Sequence, residues 1–384
     1  MKASIIVEPD FLTKHVGVRR VILYYFEKIK SYGFDVDFIM PDNKKLLLGT
    51  LSQHKTSDNQ QIINEPYWTS TTRSFSSVNN STYNKLYSVK WTNLEVNPCE
   101  YKLNLITNPW LCSIGLPTIP NSIGIIYDLV PNLLALGIIR FPQYLNVYQF
   151  AYEHNVGFNY YIENKSRILC ISNSTKNDFL DLYKLKNQDK SIFVDIPFEV
   201  STENLISKKK KNTVLLVNAL DWRKNLNVIV TVLLKCAREK EFSLTIIGQE
   251  RIPLIEFEDI LKKLADSGIY VEWYRNIPDK GLIEKYINSS VLLFPSLYEG
   301  LGLPILEAQN YGLPTITSNI SSCPEINMNP KLCFDPTNIE EMSKGIADCL
   351  DDNKEILSGL PLKNKLISFL KINKSEPSLF QNLL

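Results

Sequence analysis

Histidine is nearly absent from this sequence: 384 residues contain three, His15, His54 and His154. Cysteine is sparse, with seven residues (99, 112, 170, 236, 323, 333 and 349) and no C-x-x-C pair. Zinc modules and disulfide frameworks need grouped ligands or paired thiols, so neither is expected, and an odd set of scattered thiols fits a reducing cytosol. An excess of one charge is also missing. Lys+Arg 42 against Asp+Glu 41 leaves a net charge of +1, which gives no global field for nucleic acid. No apolar run approaches the length of a bilayer span. The opening "MKASIIVEP" lacks the long apolar core of a secretory leader. These absences lead to the expectation of a cytoplasmic protein, with any membrane contact peripheral and at the inner face.

The length exceeds one ordinary core and points to two domains. "ASIIVEP" (3–9) reads as a buried strand. In "VGVRRVILYYFEKIKSYG", Val18, Val21, Ile22, Tyr25, Phe26 and Ile29 share one helical face before Gly33. "FDVDFIM" (34–40) alternates like a strand. This is β-α-β, the start of a doubly wound parallel sheet. Residues 49–93 read as a polar, irregular insertion. Its Tyr67, Trp68, Phe75 and Tyr83 suit either local packing or stacking on sugar rings. Strand signals resume at 101–107, 122–129, 167–172 and 191–200, and "SKKKKN" (207–212) reads as a solvated linker. A second β-α series starts at "TVLLVNAL" (213–220). The expected domains are therefore 1–204 and 205–365, two Rossmann-like halves facing across a cleft. A C-terminal helix and tail, 366–384, is expected to return to the first domain.

The stretch "FPSLYEGLGLPILEAQNYGLPTIT" (294–317) carries the densest signal. A strand leads into a glycine bend and then a helix, expected over 304–311, with Pro304 at its start and Gly312 past its end. The N–H groups of that helix, with Gly300 and Gly302 allowing close approach, suit a diphosphate. Glu299 and Glu307 flank this seat, and carboxylates beside a phosphate suit neutral hydroxyl donors, ribose on one side and a sugar on the other. Acids placed only for the helix dipole are the competing reading. "DVD" (35–37) fits a strand better than a metal site.

The same residues resemble a known family. "E299-GLGLPIL-E307" is similar to the E-x7-E motif of retaining GT-B glycosyltransferases of the large family-4 group. "VNALDWRKNLNVIV" (217–230) resembles that family's R-K-N segment. "GIIYDLVP" (124–131), "CISNSTKNDF" (170–179) and "HVGVRR" (15–20) resemble its N-domain stretches. The resemblance implies a GT-B fold and a hexose moved, with retention, from a nucleotide-diphosphate sugar. A GDP-mannose-like donor, a glycan or lipid-linked glycan acceptor and surface polysaccharide synthesis are the expected setting.

The resemblance also implies residue roles. Glu307 would hold the donor ribose and Glu299 the transferred sugar. Arg223 and Lys224 would neutralise the leaving diphosphate, which makes Glu299, Arg223 and Lys224 the expected catalytic set. A basic pair at a helix start opposes the helix dipole and so needs an anion or other compensation. Gly17, Gly300, Leu301, Gly302 and Leu303 complete the expected donor contacts, Gly17 also being readable as a simple turn glycine. Tyr127 stands where the family often has histidine. With Asp128 and His15 it is an acceptor candidate, although Asp128 also suits a helix cap and His15 a solvated loop. Ser172 and Asn173 suit a helix cap. Two fixed cations make a metal unnecessary, so no metal or cofactor is expected. The alternatives are an inverting transferase, an epimerase of the same fold, or a non-catalytic nucleotide-sugar or glycan-binding subunit.

Overall fold

The computed structural model describes residues 1–13, 16–42, 44–53, 65–75, 87–140, 147–186, 191–201, 203, 205–206, 212–218, 221–353, 356 and 358–373. They divide into two compact units. The first holds the described residues of 1–56 and 85–199 together with Asn373, the second those of 57–84 and 200–372.

The opening apolar run becomes β1 (Lys2–Ile6), buried throughout after Lys2. Helix Val16–Ser31 follows and buries Val21, Ile22, Tyr25, Phe26 and Ile29, the stripe expected from their spacing. Gly33 supplies the left-handed turn (φ 84°) into β2 (Asp35–Asp42). Next in the chain come β3 (Lys45–Gln53), β4 (Trp68–Thr69), β5 (Tyr87–Glu95), β6 (Leu103–Ile106), β7 (Ser122–Ile126), β8 (Arg167–Cys170) and β9 (Ile192–Val194). The first sheet has the order β5-β3-β2-β1-β6-β7-β8-β9. It is parallel from β2 to β9 and antiparallel at β2-β3 and β3-β5.

The two ends of the 49–93 segment are therefore strands where an irregular insertion was expected. Most residues of β3 and β5 are partly or fully exposed, and β5 closes the sheet. A solvated antiparallel edge needs few apolar residues, which is why the pattern read as polar.

The second unit contains β10 (Thr213–Val217), β11 (Ser243–Ile247), β12 (Tyr270–Tyr274), β13 (Val291–Phe294), β14 (Thr315–Ser318) and β15 (Cys333–Phe334). Their order is β15-β14-β13-β10-β11-β12-β4. All neighbours are parallel except β12 and β4. β10 and β13 are buried along their whole lengths, as continuous apolar runs require in a sheet covered on both faces.

β4 corrects the expected domain division. It lies inside the insertion assigned to the first half, yet Trp68 pairs with Trp273 in the second sheet. Trp68 is 1% exposed within the second unit's core. Tyr67 and Phe75 pack edge-on against Trp273, and the Arg275 guanidinium lies over the Tyr67 ring. These aromatics pack locally, Trp68 fully and Tyr67 and Phe75 in part. Tyr83 lies outside the described residues. The boundary falls at 199/200, and the helix Gly359–Asn373 begins within the second unit. Residues 207–211 of the lysine run and 374–384 of the tail lie outside the described residues, and with them the expected return of the tail. Among the described residues, no helix is long and apolar enough to cross a membrane.

Candidate functional site

In the second sheet, β10 lies between β11 on one side and β13 on the other, so the strand order reverses at β10/β13. The carboxyl ends of the strands at such a reversal open into a crevice where α/β sheets bind ligands. The two segments leaving these strands carry the predicted site residues. After β10, a single turn of 3-10 helix (Trp222–Lys224) is capped by Asp221, whose side chain accepts from the Lys224 N–H at 2.9 Å. Asn225 ends that turn in a left-handed conformation (φ 65°) and starts the helix Leu226–Cys236. After β13, residues 295–302 lead to the helix Leu303–Asn310.

Glu299 joins the two segments. Lys224 Nζ donates to Glu299 Oε1, and Arg223 Nη1 lies 3.0 Å from Glu299 Oε2. The side chains of Lys224 and Glu299 are 8% and 9% exposed. Arg223 also donates to the Tyr298 carbonyl at 2.8 Å, and the Leu297 N–H donates to the Arg223 carbonyl at 2.8 Å. The Lys224 ammonium stands 4.6 Å from the centre of the Phe294 ring. Burial by itself pushes the Glu299 carboxyl up, but the Arg223 and Lys224 cations outweigh it and hold the group at about 2. Burial and Arg223 lower the Lys224 ammonium, against Glu299 and Asp221. The cations that oppose the helix dipole thus have their compensating anions within the chain.

Two serines fix the backbone of this bend. Ser321 Oγ donates to the Glu299 carbonyl at 2.6 Å and accepts from the Glu299 N–H at 3.1 Å. Ser322 Oγ donates to the carbonyls of Glu299 (3.1 Å) and Leu301 (2.9 Å). These serines were not singled out from the sequence, since only the fold brings the segment after β14 back to the bend. Gly300 and Leu301 are buried. Gly302 has φ 92°, a conformation that favours glycine, and a β-carbon there would press on Ile305 Cδ1 at 3.1 Å. Pro304 is the second helical residue, one place later than expected, and Gly312 follows the helix with φ 73°. Glu307 is the fifth residue of the helix, just past the first turn, and accepts from the Tyr286 hydroxyl at 2.7 Å.

The other predicted residues belong to the first unit. Gly17 is the second residue of Val16–Ser31, and a β-carbon there would meet nothing within 4 Å. His15 lies outside the described residues. Asp128 accepts from the Val130 N–H at 3.0 Å, the first N–H of the helix Val130–Ala135, whose N-cap is Leu129. The Tyr127 hydroxyl is buried without a hydrogen-bond partner among the described residues, and burial, then Glu8, raise its pKa. Ser172 caps Asn173–Tyr183 by accepting from the Thr175 N–H at 3.0 Å. In "DVD", Asp37 accepts from the Tyr101 hydroxyl at 2.9 Å. His154 was given no role from the sequence because the helix Val147–Glu163 was not read there. It is buried and stacked on Trp110 at 5.6 Å.

Comparison with known proteins bears on the fold and on the second unit. Residues 198–366 match the family "Glycosyl transferases group 1", a span close to the second unit. An O-antigen chain mannosyltransferase B of Escherichia coli is 36% identical over 99 residues, 25% of this chain and 26% of that protein. The chain thus spans about a quarter of that relative's length. Among solved structures, sucrose-phosphate synthase from Thermosynechococcus elongatus aligns with TM-score 0.61 at 14% identity, over 100% of this chain and 97% of that one. Anabaena Alr3699/HepE in complex with UDP and glucose aligns with TM-score 0.60 at 12% identity, over 100% and 98%. The fold is therefore that of the GT-B glycosyltransferases, and its second unit carries the match to glycosyl transferases group 1.

Proposed function

We propose that this protein is a retaining glycosyltransferase of the family-4 type. It moves a hexose from a nucleoside-diphosphate sugar, with GDP-mannose as the first candidate, to a glycan or lipid-linked glycan in surface polysaccharide synthesis. The observation that carries the proposal is the Arg223-Lys224-Glu299 cluster at the β10/β13 reversal, beside the N-terminus of Leu303–Asn310. Cleavage of the donor's glycosidic C–O bond leaves negative charge on the departing diphosphate. Arg223 and Lys224, already positioned by Glu299, meet that charge without reorganising, and the helix N-terminus adds its dipole. Fixed cations do what a divalent metal does elsewhere, so catalysis is proposed to be metal-independent. Glu307 is assigned to the ribose and the first unit to the acceptor. Front-side attack, with the leaving phosphate accepting the acceptor's proton, suits a site whose nearest carboxylate is tied to two cations.

The mannose assignment draws on the name of the Escherichia coli relative, and the nucleotide class on the UDP in the Anabaena complex. The test is a thermal-shift screen against GDP-mannose and UDP- and dTDP-sugars, followed by transfer assays and determination of the product anomer. A raised Tm with one donor class, then an anomer matching the donor, supports the reading. Binding without transfer to any of a broad set of glycan acceptors would favour a non-catalytic subunit, and no binding would refute the site.

A further inference from the structure

Tyr286 does not appear in any motif singled out from the sequence, yet it is the described partner of one of the two predicted glutamates. It lies on the helix Asp279–Asn288 between β12 and β13. Its side chain is 1% exposed, and its hydroxyl donates to Glu307 Oε2 at 2.7 Å. Its ring stacks on Tyr311, the C-terminal cap of Leu303–Asn310, with centroids 6.1 Å apart and planes at 16°. Tyr286 thus grips the second glutamate's helix at two places, by a hydrogen bond to its fifth residue and a ring against its end.

We infer that Tyr286 is a positioning residue for nucleotide binding, setting the orientation of the Glu307 carboxylate that receives the ribose hydroxyls. The inference rests on the donor-site reading above. A glutamate side chain has three rotatable bonds, and a carboxylate that must meet sugar hydroxyls needs its plane fixed beforehand. A donor beneath Oε2 does this and offsets part of the carboxylate's charge. Tyr286 is too buried to reach a ligand, so any effect it has on the nucleotide passes through Glu307. This separates it from a residue that contacts substrate.

The experiment is a double-mutant cycle on the full chain, read by calorimetric affinity for the nucleoside diphosphate (UDP, GDP, ADP or dTDP) that gives the largest thermal shift. Tyr286→Phe keeps the ring and its stacking and removes only the hydroxyl. It is expected to weaken binding about tenfold, the loss of one hydrogen bond to a charged group. Glu307→Ala is expected to weaken it at least as much. The double variant should bind no more weakly than Glu307→Ala alone, because the hydroxyl then has nothing to orient. Affinity for inorganic pyrophosphate, assigned to Arg223 and Lys224, should stay at the wild-type value in Tyr286→Phe, which excludes general damage to the unit. If Glu307→Ala leaves nucleotide affinity unchanged, or none of the four nucleotides binds, the donor-site reading fails. If Glu307→Ala weakens binding while Tyr286→Phe does not, or the two losses add, or pyrophosphate affinity falls equally, the positioning role alone is overturned.

Discussion

Replacing Glu299 by Gln keeps the shape of the side chain and removes its charge, leaving Arg223 and Lys224 side by side without their anion. The Lys224 side chain is 8% exposed, so solvent does little to compensate. Breaking a buried ion pair from one side costs about 3–5 kcal/mol. The pH dependence offers a sharper test. The folded-state carboxyl sits at about 2 against an ordinary 4.5. That difference corresponds to roughly 3 kcal/mol of preference for the ionised form. Because the folded value is depressed, this contribution is complete above about pH 5 and is lost as pH falls toward 2. Glu299→Gln has no such contribution to lose. Equilibrium urea unfolding, followed by intrinsic tryptophan fluorescence, should therefore show a wide stability gap between wild type and variant at pH 7. The gap should narrow by roughly 3 kcal/mol as pH approaches 2. A gap that stays constant between pH 7 and pH 3 would refute the electrostatic account of the cluster.

Lys224→Ala should reduce turnover by about two orders of magnitude or more through lost stabilisation of the leaving diphosphate, and wild-type kcat in a folded variant would remove that role. Trp68→Ala should destabilise the second unit by about 3–5 kcal/mol, since it empties a site 1% exposed, and a loss below about 1 kcal/mol in chemical unfolding would show the strand to be dispensable. Transfer activity should survive EDTA, and activity abolished by chelation and restored by Mg2+ or Mn2+ would overturn the metal-independent assignment.

The second half of the fold was legible because most of its strands are short, apolar-rich runs separated by amphipathic helices, the pattern of a sheet covered on both faces. The bend at Glu299 was legible for a similar reason: Gly302 and Gly312 stand where a positive φ favours glycine, and Pro304 falls in the first helical turn, where its missing N–H is tolerated. What escaped was whatever depends on contacts between distant segments. Glu299 was read as a ligand for sugar hydroxyls, and nothing local could show that Arg223 and Lys224, more than seventy residues earlier, meet both of its oxygens. Tyr286 and the serines at 321 and 322 escaped for the same reason. β3 and β5 were missed because most of their residues are partly or fully exposed, which blurs the apolar face that marks a strand. The aromatics of β4 were visible, but their partner Trp273 comes about 200 residues later in the chain, beyond the reach of any local pattern.

The placement of β4 bears on how the chain can be made. Trp68 leaves the ribosome about 200 residues before Trp273, its partner across the strand pair. At roughly 5–20 residues per second, Tyr67, Trp68 and Phe75 wait on the order of 10–40 s for the surface that buries them. Through that interval the nascent chain displays an aromatic segment with no place to pack, a natural target for a holding chaperone. Excising residues 200–372 as a fragment would create the converse defect, a β12 edge with unpaired backbone groups and a core lacking its largest plug. Grafting 65–75 through a short linker onto the start of that fragment would restore both, making the second unit a transplantable module.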